Sequence, residues 1–198
     1  MAVVDYPSTL IPNSMSLNLV SNTKSFSSSF NQSVRTQRFP GEHWKASLSF
    51  NNLYPYELVD LKAFVWGLGG ADGRFYMPLF DNLGKPAKGT PVVLGTDQVG
   101  GVLTSNGWTP NTIVLNKGDY FEINGEVKMV TENVVSSQTG QATLTFVPWL
   151  RTAAQTGQAI ITDKPSGLFK LADDGQGEID FEPGFGNISI EVVEAFYV

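Results

Sequence analysis

Four groups of side chains in this 198-residue chain are of types that could do chemistry. The run ADDGQGEIDFEPG holds Asp173, Asp174, Glu178, Asp180 and Glu182, enough carboxylate oxygens to bind a calcium ion. It lacks the alternating acid ladder, central glycine and terminal glutamate of a calcium loop, and reads as a solvated hairpin loop. Asp119, Glu122 and Glu126 could be paired for glycoside hydrolysis, but a chain with 19 acidic residues offers such pairs by composition alone. His43 is the one histidine; a serine triad would have to use it, and no G-x-S-x-G elbow is present. The cluster GLGGADGR, Gly67 to Arg74, has the glycines of a phosphate loop in the wrong order. A phosphate loop follows a strand and opens a helix, so that the helix N-terminus faces the anion. This cluster closes a helix and precedes a strand, so it is a helix stop. With no cysteine, disulfides, thiolate nucleophiles and His/Cys metal sites are absent. No enzyme activity, metal or cofactor is expected.

Aromatic side chains are the remaining candidates. Trp44 and Trp66 fall in an amphipathic unit and are expected in a core or an interface. Trp108, in SNGWTPNT, lies in a turn and is the best candidate for an exposed ring that meets sugar or protein. Charged residues make up only 16% of the chain, against about a quarter in ordinary soluble domains; interface cores are depleted in charge, so this points mildly to an assembly. A net charge of -6 with scattered cations argues against a nucleic-acid partner, which needs a basic stripe. No apolar run approaches the roughly 20 residues that span a bilayer, so no membrane partner is expected. The N-terminus lacks a basic region followed by an apolar core, so synthesis in a cytoplasm is expected.

The elements that must position these groups are mainly strands. Trp44, Ala46, Leu48 and Phe50 alternate with His43, Lys45, Ser47 and Ser49, an amphipathic strand. A helix over 55–67 follows: Leu58, Leu61, Phe64, Val65 and Leu68 share one stripe, Pro55 suits its first turn, and the glycines stop it. Residues 1–14 hold two prolines and no period, and read as an arm. Met15 to Val20 alternates as a half-buried strand, Lys24 to Asn31 reads as a second strand at the periphery, and Val34 to Phe39 reads as a connecting strand or turn before the Pro40-Gly41 break. After a turn-rich stretch from Asp81, short strands follow with Gly, Asn and Asp punctuation, the pattern of a small barrel or sandwich. Asn124-Gly125 marks a tight hairpin, and Gln138-Thr139-Gly140 a second. The long apolar strand at the C-terminus needs a partner in the first half. The chain is therefore expected to be mainly β: a discontinuous β-sandwich-like domain, 15–80 plus 165–198, with one flanking helix and a small β-barrel inserted at 81–164. A single continuous β domain is the alternative.

The motifs, taken in order, resemble those of the small tail-tip structural proteins encoded in tail gene clusters of long-tailed bacteriophages and prophages. They are Pro40, Gly41 and Trp44; Gly70, Gly73, Arg74 and Phe75; Leu115, Gly118, Asp119, Tyr120 and Ile123; Gly140, Ala142, Thr143, Leu144, Pro148, Leu150 and Arg151; and Gly167, Phe169 and Leu171. The resemblance covers most of the chain from Arg38 onward. It implies a virion protein at the tail tip, similar to distal tail proteins whose β-sandwich, flanking helix and inserted barrel build a homohexameric ring in the baseplate. Its partners would be copies of itself, the tail tube, and hub and fibre proteins. No catalytic residue is carried over. Residues 1–31 are expected to act as an interface arm, with the inserted barrel facing outward. Trp44, Trp66, Arg74, Trp108 and Arg151 are the candidate interface residues; Arg74 equally suits an ordinary surface pair, and Arg151 either pairs with a carboxylate such as Asp119 or stays exposed. The alternative function is a host-surface glycan- or receptor-binding module.

Overall fold

The computed structural model describes residues 3–80, 85–182 and 184–196. Met1 and Ala2 of the expected arm, residues 81–84 of the turn-rich stretch, Pro183 of the acidic loop, and Tyr197 and Val198 lie outside the described residues. The protein is mainly β with one α-helix among the described residues. In chain order its first strands are β1 (Val3–Asp5), β2 (Ser14–Val20), β3 (Thr23–Ser27), β4 (Val34–Arg38) and β5 (His43–Leu53), followed by helix α1 (Pro55–Gly67) and β6 (Arg74–Pro78). Then come β7 (Gly89–Val93), β8 (Gln98–Trp108), β9 (Ile113–Leu115), β10 (Tyr120–Ile123), β11 (Glu126–Val130), β12 (Val134–Val135) and β13 (Ala142–Ala154). The chain closes with β14 (Ser166–Leu171), β15 (Ile179–Glu182) and β16 (Phe185–Glu194).

A seven-stranded sheet runs β1-β6-β14-β16-β5-β2, with β15 also paired to β16. The alternation read in β5 sets its geometry. Trp44, Ala46, Leu48 and Phe50 are buried in one cluster with Leu58, Leu61, Phe64 and Val65 of α1 and with Ile188, Ile190 and Val192 of β16. Burying such a face is the main stabilising term in a sheet-helix layer. The helix starts at Pro55, and the Glu57 carboxylate accepts the Tyr54 N–H at 2.9 Å. It ends as Gly69 turns left-handed (φ 70°). Gly73 is needed for space, since a Cβ there would lie 2.3 Å from the Leu68 carbonyl oxygen.

Strands β7–β13 form ladders only with one another among the described residues: β10-β11-β13-β8-β7 in one sheet and β9-β12 in another. They bury a second core around Leu103, Trp108, Phe121, Leu144 and Phe146, with Phe121 and Phe146 edge to face at 5.2 Å. Asn124 and Gly125 both have positive φ (55° and 73°), the left-handed pair that joins β10 to β11. The Gln138–Gly140 turn closes on the Ser137 carbonyl through the Gly140 N–H, but it is not a hairpin: β12 before it pairs with β9, and β13 after it pairs with β8.

The N-terminal segment differs from the expected arm. Val3–Asp5 pairs in parallel with Arg74–Tyr76, and Tyr6 and Leu10 are buried in the first core. Tyr6 packs edge-on against Phe64 and Phe80, and burial pushes its phenol pKa up. A three-residue strand leaves no period to read, so its sheet position was hidden in the sequence.

Candidate interface and the ionic junction beneath it

The true projection is the hairpin of β3 and β4. The β2–β5 ladder ends at Val20 opposite His43; from there the chain continues as a separate pair, Thr23 opposite Arg38 to Ser27 opposite Val34. Asn22 fixes the exit, its side-chain amide donating to the Pro40 carbonyl at 2.7 Å while its own carbonyl accepts the Phe39 N–H at 2.7 Å. Every residue of both strands is exposed. Cross-strand pairing puts Lys24, Phe26, Arg35 and Gln37 on one face, and Thr23, Ser25, Val34, Thr36 and Arg38 on the other. Phe30 at the tip is fully exposed. A lone two-stranded hairpin is marginal in water, and this one has its own pairing and the contacts at its root.

The arm is clamped at its root. The Arg38 guanidinium meets both carboxylate oxygens of the buried Glu42, donating to one of them at 2.7 Å, and stacks 4.7 Å from the Trp149 ring on β13. Such bidentate pairs are the stronger class of charge-assisted hydrogen bond.

Below the root lies a buried ionic junction between the two cores. The fully buried Lys128 ammonium reaches Glu126 at 2.7 Å and donates to the Trp149 carbonyl at 3.0 Å. The backbone N–H groups of Arg151 and Thr152 both donate to the Glu126 carboxylate at 3.1 Å. Arg151 in turn donates to Glu194 of β16 at 2.7 Å and lies 4.7 Å from the Phe196 ring. Glu194 also accepts the Trp44 N–H at 3.1 Å. Burial pushes Glu126 up, but Lys128 and Arg151 outweigh it and hold the carboxyl below its ordinary range. Burial lowers Lys128, with Glu126 opposing. This set joins β11 and β13 of one core to β5 and β16 of the other.

The candidate residues fall into different settings. Trp44 is core: its indole N–H donates to the Val127 carbonyl at 3.0 Å across the junction. Trp66 is 59% exposed on α1, with Lys62 4.8 Å from its ring. Arg74 donates to the carbonyls of Ala71, Asp72 and Gly73 in the glycine turn. Trp108 is the correction: it is only 3% exposed. It is the last residue of β8, its backbone N–H pairs with the Gly140 carbonyl, and its indole N–H donates to Ser105 at 2.8 Å, so the ring turns inward. Arg151 does not meet Asp119, which instead pairs with Lys85 and accepts the Asn116 N–H at 2.8 Å. Burial raises the Asp119 pKa, but these partners outweigh it and leave it lowered. The glycine cluster does hold an anion, but the protein's own: Asp174 accepts the Ala71 N–H at 2.9 Å, where a Cβ on Gly70 would strike it. His43 lies beside Phe196.

Glu42, Lys128 and Glu194 carry no signal of their own in the sequence, and Glu126 stands out there only as one of a carboxylate pair. Glu126 and Lys128, opposite charges two apart on one face of a strand, were the one available signal. No family model matches the chain, and no curated protein matches it.

Proposed function

We propose that this chain is a non-enzymatic structural protein of a phage virion, a distal-tail-type subunit at the tail tip. Six copies close a ring that joins the tail tube to the hub or fibres. The observation that carries this reading is the projecting β3–β4 arm, which exposes Phe26, Phe30 and Val34 to solvent. A long, clamped and exposed hairpin suits a neighbouring copy better than it suits a monomer. The motif order from Arg38 onward supports placing that assembly in a tail. The pairing of Glu126 with Lys128 and of Glu194 with Arg151 supports a role for these charges in holding the fold together. Sedimentation of the purified protein tests the ring, which should appear at six times the 21.5 kDa chain mass. Antibody labelling of intact particles tests the location: label at the far tip is expected, and label along the tube or on the head overturns it.

One observation favours the alternative, a glycan- or receptor-binding module. A groove of about 560 Å³ opens between the arm root and β13, walled by Phe39, Trp149 and Phe196 over Arg38 and Arg151. Trp149 is 42% exposed there, whereas the buried Trp108 has no such access. Titration of host polysaccharide should quench tryptophan fluorescence in the native protein but not in Trp149→Ala if this reading holds.

A further inference from the structure

Helix α1 is apolar on two opposite faces. Leu58, Leu61, Phe64 and Val65 enter the first core. Tyr56, Val59, Ala63 and Trp66, spaced at i, i+3, i+7 and i+10, form a second stripe on the far side. Tyr56 is 67% and Val59 62% exposed. The exposed side of a surface helix is normally polar, yet this stripe of it is apolar and faces solvent. Its borders carry both signs: Asp60 lies on one side, the Lys62 ammonium sits 4.8 Å from the Trp66 ring on the other, and the acidic 173–178 loop approaches at Gly177, against Val65 and Trp66.

We infer that this stripe receives the β3–β4 arm of the next copy, so that the subunit contact is head to tail. The inference rests on the ring reading above and names its two surfaces. Three properties match. The segment 23–38 carries three of the chain's 13 Lys and Arg and none of its 19 Asp and Glu, opposite in sign to the acids around the stripe. The arm face carrying Phe26 also carries Lys24 and Arg35, so an apolar ring flanked by cations meets an apolar stripe around which acids (Asp60, Asp173, Asp174 and Glu178) outnumber the cation Lys62. Lengths agree as well: ten residues of helix rise about 15 Å, and a five-residue strand spans roughly 17 Å. The two surfaces lie on different parts of the molecule, so the contact is heterologous and generates a ring if the rotation closes.

The absence of native cysteine makes the test clean. Phe26→Cys/Val59→Cys protein, mildly oxidised, should give a covalent ladder of increasing copy number. Mixing the two single variants should give dimers only. Phe26→Cys/Val99→Cys, with its second cysteine on β8 and away from the stripe, should give at least tenfold less product. In a second arm, Asp60→Arg should weaken association about tenfold, and Lys24→Glu/Arg35→Glu in the same chain should restore it. A ring of the correct mass without a ladder, a control ladder of equal yield, or no effect of charge reversal overturns this contact and leaves the ring reading standing. A protein that sediments as a monomer at all concentrations, with no ladder, overturns both.

Discussion

Glu126 is a carboxylate taken out of water with a fully buried ammonium as its neighbour. Removing one partner of such a pair strands the other charge, which typically costs about 3–5 kcal/mol. Glu126→Gln should therefore lower unfolding free energy by about that amount in a urea titration at neutral pH. Lys128→Met should cost less, because Arg151 and two backbone N–H groups still serve the carboxylate. The pH dependence follows from the same environment. The folded pKa of Glu126 lies below its ordinary 4.5, so its contribution is complete above that value and is lost as the pH falls through the folded one. Asp119 acts in the same sense from 3.8 downward. Glu122 acts oppositely: burial raises it above 4.5, so acidification through that window relieves a cost even though Ser166 donates to it twice. Melting temperature should thus fall on acidification below about 4.5, with a shallower fall in Glu126→Gln. An unchanged slope in that variant would remove Glu126 from the account.

Two tryptophans separate core from surface at the level of elements. Trp108→Ala opens the second core and removes the indole donor from Ser105, whose hydroxyl still donates to the Ala142 carbonyl, and should cost about 3–5 kcal/mol. Trp66→Ala removes an exposed ring and should change monomer stability by no more than about 0.5 kcal/mol, while weakening self-association. Calorimetry at low and high protein concentration distinguishes the two effects. What was legible in the sequence was periodic. The alternation from His43 to Phe50 set β5 on the sheet, helical spacing set α1 upon it, and Asn124-Gly125 set the turn after β10. What was hidden depends on partners far along the chain. Arg151 finds Glu194 rather than Asp119 because β13 and β16 converge at the junction, which no spacing announces. The turn residues around Trp108 suggested exposure; β8 instead runs through Ser105, Asn106 and Gly107 and ends on Trp108, with the ring turned inward. The core stripe of α1 was legible from its spacing, whereas the exposure of Tyr56, Val59 and Trp66 on the far side depends on what packs over the helix, which spacing does not tell.

For the whole molecule, the arm should be separable from the fold. Replacing residues 24–37 by a Gly-Ser link keeps Arg38 on Glu42 and leaves both cores intact. The shortened protein should melt within a few degrees of the native one yet sediment as a monomer. Unfolding of that variant would show that the arm stabilises its own subunit instead. The route from arm to body has a mechanical consequence. Strand β5 leaves the root at His43 and lies between β2 and β16, held by long ladders on both sides. Because those hydrogen bonds run across the strands, tension carried along β5 shears both ladders at once, whereas a sideways load would peel β3 from β4 one pair at a time.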